Sequence, residues 1–311
     1  MTDSLITLFT SPKPFTNPHI TMIQRNAIRS WQVLGKSVEI LLLGEEDGIA
    51  ENADILGVRH IREIRKNSYG TPLISSLFQT AREQNDSPLL AYVNADILLL
   101  PDFVSKAQQV MTSVPKFLLI GQRWDLDVGS ELPFSDGWQE RLRQECSIHG
   151  RLHRPMGSDY FVFPRQCFEC IPDFAIGRAG WDNWMIYEAR QRGWKTIDAT
   201  GSIHIIHQEH DYSHLPGGMP HYHLPETDEN VRLAGGKRNI FTLLDANWVI
   251  KNDKVSRKKI TSRRILREIE ILPRVTFHSH FLGELAYTLL HPKKAFVSLR
   301  NSVSRLINRK A

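Results

Sequence analysis

Cysteine is scarce in this 311-residue chain, with three residues at positions 146, 167 and 170. An odd count in a chain of this length excludes a disulfide framework and points to a reducing compartment. Cys167-Phe-Glu-Cys170 has the spacing of a redox or zinc pair. No second pair exists to complete a four-thiolate site, so it reads as two buried structural thiols. A run of about 18 apolar residues is absent, which argues against a membrane-spanning helix. Met1-Thr2-Asp3-Ser4 lacks the basic and apolar regions of a signal peptide. Neither GxGxxG nor GxxxxGK(S/T) occurs, and Gly235-Gly236-Lys237-Arg238 lacks the glycine spacing of a phosphate loop. There is no internal repeat and no low-complexity tract. The expected location is the cytoplasm, or the periphery of the inner face of a membrane.

Acidic charge is scarce at one end. From residue 251 to 311 there are 15 Lys or Arg against 4 Asp or Glu, a net of +11. The whole chain carries +5, so residues 1–250 carry about −6 by difference. The larger part is therefore not a nucleic-acid-binding surface on charge grounds, and no nucleic-acid partner is expected for it. In the basic tail, Ile260, Ile265, Leu266, Ile269 and Leu272 interleave with Lys and Arg, and Phe296, Leu299, Val303 and Leu306 form a second such segment. Helices of this pattern either lie on an anionic membrane or pack on the domain with a solvated basic face.

The remainder alternates strand and helix. Leu5–Thr10, Val38–Leu43, Arg59–Ile61, the Leu89 run and Phe117–Gly121 read as strands. Helices are expected over Ile20–Leu34, Asp47–Leu56, Pro72–Gln84 and Asp102–Val114. This order predicts a parallel, three-layer α/β domain with right-handed crossovers. Beyond Gln122 the pattern loosens. Strands are expected at Tyr160–Phe163, Thr196–Asp198 and Ser202–His207, a helix at Trp181–Arg192, and a polar loop rich in His, Pro and Gly from the end of the Ser202–His207 strand to about Leu233.

Four clusters bear chemistry. Leu89–Asp102 is a buried strand whose end carries Asn94 and Asp96 on one side, where open α/β sheets place ligands. A carboxylate there suits a divalent cation shared with phosphates; the alternative is a helix cap, a role that Asp102 already suits. Asp182 stands between Trp181 and Trp184 at a helix start. It is either an N-cap or a general base whose pKa an aromatic pocket raises. His204, His207, His210, Asp211 and His214 crowd one segment, with His207 at a strand end best placed to meet a metal held by Asp96 and His210 next. Solvated loop histidines are the alternative. Arg65-Lys66-Asn67-Ser68-Tyr69-Gly70-Thr71-Pro72 precedes a helix and suits an anionic phosphate, or is a solvated turn.

In this order the elements resemble the GT-A glycosyltransferases, nucleotide-diphospho-sugar transferases with a Rossmann-like three-layer sandwich. The shared texture includes Phe9-Thr10-Ser11-Pro12-Lys13, Tyr92-Val-Asn-Ala-Asp96, Gly157-Ser-Asp-Tyr160 and His210-Asp-Tyr212, which is similar to uncharacterised glycosyltransferase-family-2-like proteins. The resemblance covers roughly residues 4–250. It implies a catalytic domain over 1–250 and a basic amphipathic helical extension over 251–311. It implies a nucleotide-sugar donor, a hydroxyl acceptor, and Mn2+ or Mg2+ held by Asp96 with His207 or His210. Asn94 stands where the first Asp of the family's DxD motif usually stands. Gly180-Trp181-Asp182-Asn183 is similar to the Glu-Asp motif of inverting members, which makes Asp182 the base. Thr10, Ser11, Arg65, Asn67, Gly70, Thr71 and Asn94 then line the donor. Asp159, Trp181 and Trp184 position donor or acceptor sugar, and the Gly217-Gly218 loop closes over the donor. Gln122-Arg123-Trp124 has the wrong spacing and place for the QxxRW of processive synthases and carries no expectation. The rival readings are a sugar-1-phosphate nucleotidyltransferase and a non-catalytic membrane-associated binding protein.

Overall fold

The computed structural model describes residues 4–210 and 224–293. The expectations for Asp211, His214, Gly217-Gly218 and the 296–306 segment lie outside the described residues. The first half of the chain forms β1 (Ile6–Thr10), α1 (Pro18–Gln32), β2 (Val38–Leu43), α2 (Ile49–Leu56), β3 (Arg59–Ile61), α3 (Ile74–Glu83), β4 (Leu89–Val93), β5 (Ile97–Leu98), α4 (Asp102–Ser113), β6 (Phe117–Ile120), β7 (Trp124–Leu126) and α5 (Trp138–His149). There follow β8 (Arg151–Leu152), β9 (Tyr160–Pro164), α6 (Trp181–Gln191), β10 (Lys195–Asp198), β11 (Ile206–Gln208), α7 (Pro225–Leu233), β12 (Trp248–Lys251), β13 (Lys254–Arg257), α8 (Ser262–Val275) and α9 (His280–Leu290).

Nine strands form the main sheet, in the order β13-β12-β10-β6-β9-β4-β1-β2-β3. The β3-β2-β1-β4 and β6-β10-β12 groups are each parallel, and β9 joins them as an antiparallel strand between β4 and β6. Strand alternation separates two packed faces. Ile6 and Leu8 of β1, Leu89 and Ala91 of β4, and Val162 of β9 join Ala27, Ile28 and Trp31 of α1 and Phe103 and Ala107 of α4 in one core. The opposite face is aromatic. Phe9 meets Phe78 of α3 edge-on at 5.0 Å, Phe78 stacks on Phe163 at 5.4 Å, and Trp181 of α6 packs on Tyr92 at 5.1 Å. Helix, sheet and helix thus make the expected three-layer α/β sandwich.

A second sheet, in the order β5-β11-β7-β8, accounts for most of what the loosened pattern past Gln122 hid. Strands of two or three residues are too short to display a period, so β5, β7 and β8 have no sequence signature of their own. One face of this sheet packs through Leu98, Leu126 and Ile206 onto Trp138, Leu142 and Cys146 of α5, a helix also absent from the expectations. It is anchored to the main layer by the Trp31 indole, which donates to the Ile97 carbonyl at 2.9 Å.

Further differences have local causes. α7 occupies the end of the expected polar loop, with Pro225 in its first turn and Glu226 and Asp228 matching its N-terminal dipole. α3 starts at Ile74, not Pro72, because Pro72 is engaged in a β-bridge with Lys66. Asp102 does not cap α4: its carboxylate accepts from Arg143 at 2.9 Å and from the His204 backbone N–H at 3.2 Å. Cys146 and Cys167 are buried free thiols, each raised by burial to about 11, but Cys170 is exposed.

The chain divides into two compact units, residues 1–189 with 194–257, and residues 190–193 with 258–311. The β12–β13 hairpin crosses the boundary expected at 250 and completes the main sheet. In the second unit, α8 and α9 pack on each other, and buried Arg274 reaches Glu284 at 2.7 Å and His280 at 3.0 Å. Among the described residues no helix is long and apolar enough to cross a membrane.

Candidate functional site

β4 ends at Val93, and the chain leaves the main sheet through Asn94-Ala95-Asp96 to enter the small one as β5. Asp96 therefore stands at the junction of the two sheets, beyond the carboxyl end of a central strand, where α/β folds gather ligands. The register of the small sheet does the rest. Ile97 pairs with His207, His207 with Asp125, and Asp125 with Arg151, so neighbouring strands bring these residues into one row. Residues two apart share a face, which adds Arg123, Asp127, His153 and Glu209 to it. This polar face lines an open cavity of about 700 Å³, to which Asn17, His19 and Ile20 at the start of α1 also contribute.

Asp96, His207 and His210 come together as expected from the sequence, one donor atom from each lying within 4.8 Å of the others. Oδ2 of Asp96 is 3.2 Å from Nε2 of His210 and 3.8 Å from Nε2 of His207. Two ligands about 2.1 Å from one ion and at a right angle stand about 3 Å apart, so the spacing suits a single small cation. The other oxygen of Asp96, Oδ1, is buried without a hydrogen-bond partner, an arrangement that costs free energy unless a ligand completes it. Burial pushes this carboxyl up, but the two imidazoles and the Lys13 ammonium outweigh it and hold Asp96 far below the usual carboxylate range. Lys13 is a member that sequence reasoning did not single out. Its Nζ is 3.0 Å from Nε2 of His210 and 3.7 Å from Asp96 Oδ2, and burial lowers its pKa.

A second centre is joined to the first through buried charge. Asp159 Oδ1 accepts from Arg123 Nη1 at 2.6 Å and from the Asn94 side chain at 2.9 Å, while the Asp159 carbonyl accepts from the Asn94 backbone N–H at 2.9 Å. Arg123 also donates through Nε to Asp125 Oδ1 at 2.9 Å. Burial would depress this guanidinium's pKa, yet Asp159, Asp125 and Asp96 raise it instead. Asp182, in the first turn of α6, faces the same neighbourhood: a Cβ on Gly157 would lie 3.9 Å from its Oδ2. Burial pushes Asp182 up to about 6; the backbone N–H groups of Asn183 and Gly180 oppose this, and the Asp159 charge adds to it. One carboxylate is thus held ionised and another is poised near neutrality.

Other expected site residues sit differently. Trp181 and Trp184 are each only 6% exposed, the first against Tyr92 and Phe161 and the second against Phe174, so they build the core under Asp182 and do not offer faces for sugar stacking. Thr10 is fully buried inside the sheet, which leaves Ser11 to follow the strand end. Arg65 pairs with Asp173 at 3.1 Å. Asn67 accepts from the Tyr69 and Thr71 backbone N–H groups, shaping a turn in which Gly70 has φ +80°, and donates to Glu226 at 2.7 Å. The charged and amide side chains of this loop are engaged within the protein, Arg65 with Asp173, Asn67 with Glu226 and Lys66 with Glu45 and Glu46.

No family model matches this sequence, and no curated protein matches it. Similar solved structures do exist. One is a mannosyltransferase from Pyrobaculum calidifontis in complex with GDP-Man and Mn2+, at 12% identity and a TM-score of 0.40, covering 65% of this chain and 56% of that one. The chain thus spans little more than half of that protein. Another is glucosyl-3-phosphoglycerate synthase from Mycobacterium tuberculosis with Mn2+, UDP and phosphoglyceric acid, at 12% identity and a TM-score of 0.46, covering 83% of this chain and 88% of that one. A third is S. aureus TarS with UDP-GlcNAc, at 8% identity and a TM-score of 0.45, covering 74% and 65%.

Arg123 is the part of the site whose removal has the largest structural cost. Arg123→Leu leaves Asp125 and Asp159 buried without their shared counter-charge, and its unfolding free energy at neutral pH is expected to fall by about 3–5 kcal/mol. The carboxyl of Asp125 is held well below its usual range, so its stabilisation is present above the unfolded carboxylate range and lost as pH falls. The difference between the two proteins in urea denaturation should therefore begin to narrow only below about pH 4 and keep shrinking as the pH falls further.

Proposed function

We propose that this chain is a metal-dependent, inverting glycosyltransferase that moves a sugar from a nucleotide-diphosphate donor to a hydroxyl acceptor. The observation that carries this reading is the pairing of a cation-ready cluster, Asp96–His207–His210 with its unpartnered buried oxygen, with an elevated Asp182 reached through Asn94, Asp159 and Arg123. One carboxylate with two imidazoles suits Mn2+ better than Mg2+, which takes oxygen ligands, and such an ion, when bound, offsets the charge of the departing diphosphate.

The protein's own groups supply the remainder. Lys13, beside the same cluster, offers an ammonium to the diphosphate. Ser11 and the backbone of the Arg65–Thr71 loop line the nucleotide, while the loop's side chains are held by Asp173, Glu226 and Glu45. Asp182 takes the acceptor hydroxyl proton as the acceptor oxygen bonds to the anomeric carbon and that carbon's bond to phosphate oxygen breaks on the opposite side. Asp159 is a positioning residue that keeps Asn94 and Arg123 in place and, by its charge, helps hold the Asp182 pKa up. The buried indoles of Trp181 and Trp184 fix the helix start that presents Asp182.

A thermal-shift panel of UDP- and GDP-sugars with and without Mn2+ tests the donor class, since ligands that bind only the folded state raise its melting temperature. A metal-dependent shift is expected for the wild type and is expected to vanish in Asp96→Asn. A shift with nucleoside triphosphate and turnover with sugar phosphate would favour the nucleotidyltransferase; binding without donor hydrolysis or transfer would favour the non-catalytic protein.

Asp182→Asn should retain donor binding while transfer drops by about a hundred- to ten-thousand-fold. With Asp182 pushed up to about 6, wild-type kcat/KM should rise as pH passes through that value and then level, and the variant should lose this limb. Transfer that survives the substitution with its pH profile intact would move the assignment to a retaining mechanism.

The second unit supports a membrane-surface role for the extension. Along α8 and α9, Ile265, Ile269, Leu272, Leu285 and Leu289 are exposed, as is Phe281 at 78%, within a segment of net charge +11. Apolar and basic groups together favour an anionic bilayer surface. The full chain should sediment with phosphatidylglycerol-containing vesicles but not with phosphatidylcholine alone, and the double substitution Phe281→Ser, Leu289→Ser should weaken it several-fold. Equal sedimentation with both lipids would count against the role.

A further inference from the structure

Asp125 has a position that the reaction scheme leaves unused. It lies at the middle of β7, paired in register with His207 on one side and with Arg151 on the other. Its side chain is 3% exposed, although it is a carboxylate on the polar face of the small sheet. Oδ1 is 3.2 Å from Nδ1 of His207, and Oδ2 is 2.8 Å from Nδ1 of His153. Arg123 Nε donates to the same Oδ1 at 2.9 Å, and Arg151 Nη2 is 3.8 Å from Oδ2.

His207 thus stands between two carboxylates, with Nδ1 3.2 Å from Asp125 Oδ1 and Nε2 3.8 Å from Asp96 Oδ2. A neutral imidazole carries a proton on one ring nitrogen only, and that nitrogen cannot then bind a cation. Free histidine in water has little preference strong enough to fix the choice. Here Nδ1 is buried and makes no hydrogen bond of good geometry, and Asp125 Oδ1 lies 3.2 Å from it. A buried carboxylate beside that nitrogen favours the proton on Nδ1, which leaves the Nε2 lone pair for the side where Asp96 lies. Arg123 and His153 prevent Asp125 from turning away.

We infer that Asp125 is a positioning residue that sets the tautomer and ring orientation of His207, with Arg123 and His153 holding Asp125 in turn. The inference rests on the reading of Asp96, His207 and His210 as a cation site. It explains why a polar sheet face keeps a nearly inaccessible carboxylate: the acid acts through the imidazole and does not touch substrate.

The test uses the full chain in two measurements, neither needing activity. Nitrogen-15 NMR of histidine-labelled protein at about pH 8, above the ordinary imidazole range, reads which nitrogen of His207 is protonated; His207→Gln assigns the signal. Isothermal titration with MnCl2 alone reads the affinity. The wild type is expected to show Nδ1–H. Asp125→Ala should lose that preference and bind Mn2+ about 10–100-fold more weakly, as is usual when an outer partner of a ligand histidine is removed. Asp125→Asn, which keeps an acceptor oxygen but not the charge, should fall between them, and His153→Gln should retain the tautomer. An Nε2–H signal in the wild type, or one unmoved by Asp125→Ala, overturns the inference, as does an unchanged Mn2+ affinity in that variant. A wild type with Nδ1–H that moves in Asp125→Ala, yet binds no Mn2+ in either form, supports the orienting role and refutes the cation reading.

Discussion

One guanidinium holds the polar interior of this protein together. Arg123 is the shared counter-charge of Asp125 and Asp159, two buried acids whose burial without a partner would be costly. Through Asp125 it reaches the imidazoles of His207 and His153, and through Asp159 it reaches Asn94 at the end of a central strand. The elevated Asp182 borders the same network and senses its charge through Asp159. Planar and permanently charged, an arginine can serve two acids in fixed directions, which a lysine cannot. The two centres are therefore parts of one electrostatic unit.

The arrangement follows from how two sheets meet. A long, doubly covered sheet supplies rigidity, with aliphatic side chains on one face and interlocking aromatics on the other. A short sheet supplies a polar face, since its opposite face is occupied by α5. Asp96 lies at the seam, because β4 ends there and β5 has not begun. A seam of this kind gives a carboxylate few neighbours of its own chain segment, which is how Oδ1 comes to be buried without a partner.

Much of the main layer was legible in the sequence, because its strands are long and apolar and its helices are punctuated by glycine and proline. Asp96, His207 and His210 were legible for a different reason: polar residues at a strand end, and imidazoles just past another, stand out against apolar surroundings. Arg123 and Asp125 were not. Asp125 lies in a strand of only three residues and Arg123 immediately before it, and which side of that segment faces the site is decided by the flanking strands β11 and β8. The tryptophans beside Asp182 were misplaced because adjacency in sequence does not tell which side of a helix start is covered, and the aromatic layer beneath claimed both. The Arg65–Thr71 loop looked available for phosphate because its partners, Asp173 and Glu226, lie more than a hundred residues away in the chain.

The order in which the site's pieces occur along the chain has a consequence for its history during synthesis. Asp96 and Lys13 belong to the first third, yet the bond from His210 to Asp96 spans 114 residues. Closing so wide a loop is slow compared with forming neighbouring helices and hairpins. A ribosome-bound chain that has emerged only as far as β10 holds one acid and no imidazole partner for it. The three donor side chains of the cluster are therefore available as a set only once the chain beyond β11 has been made.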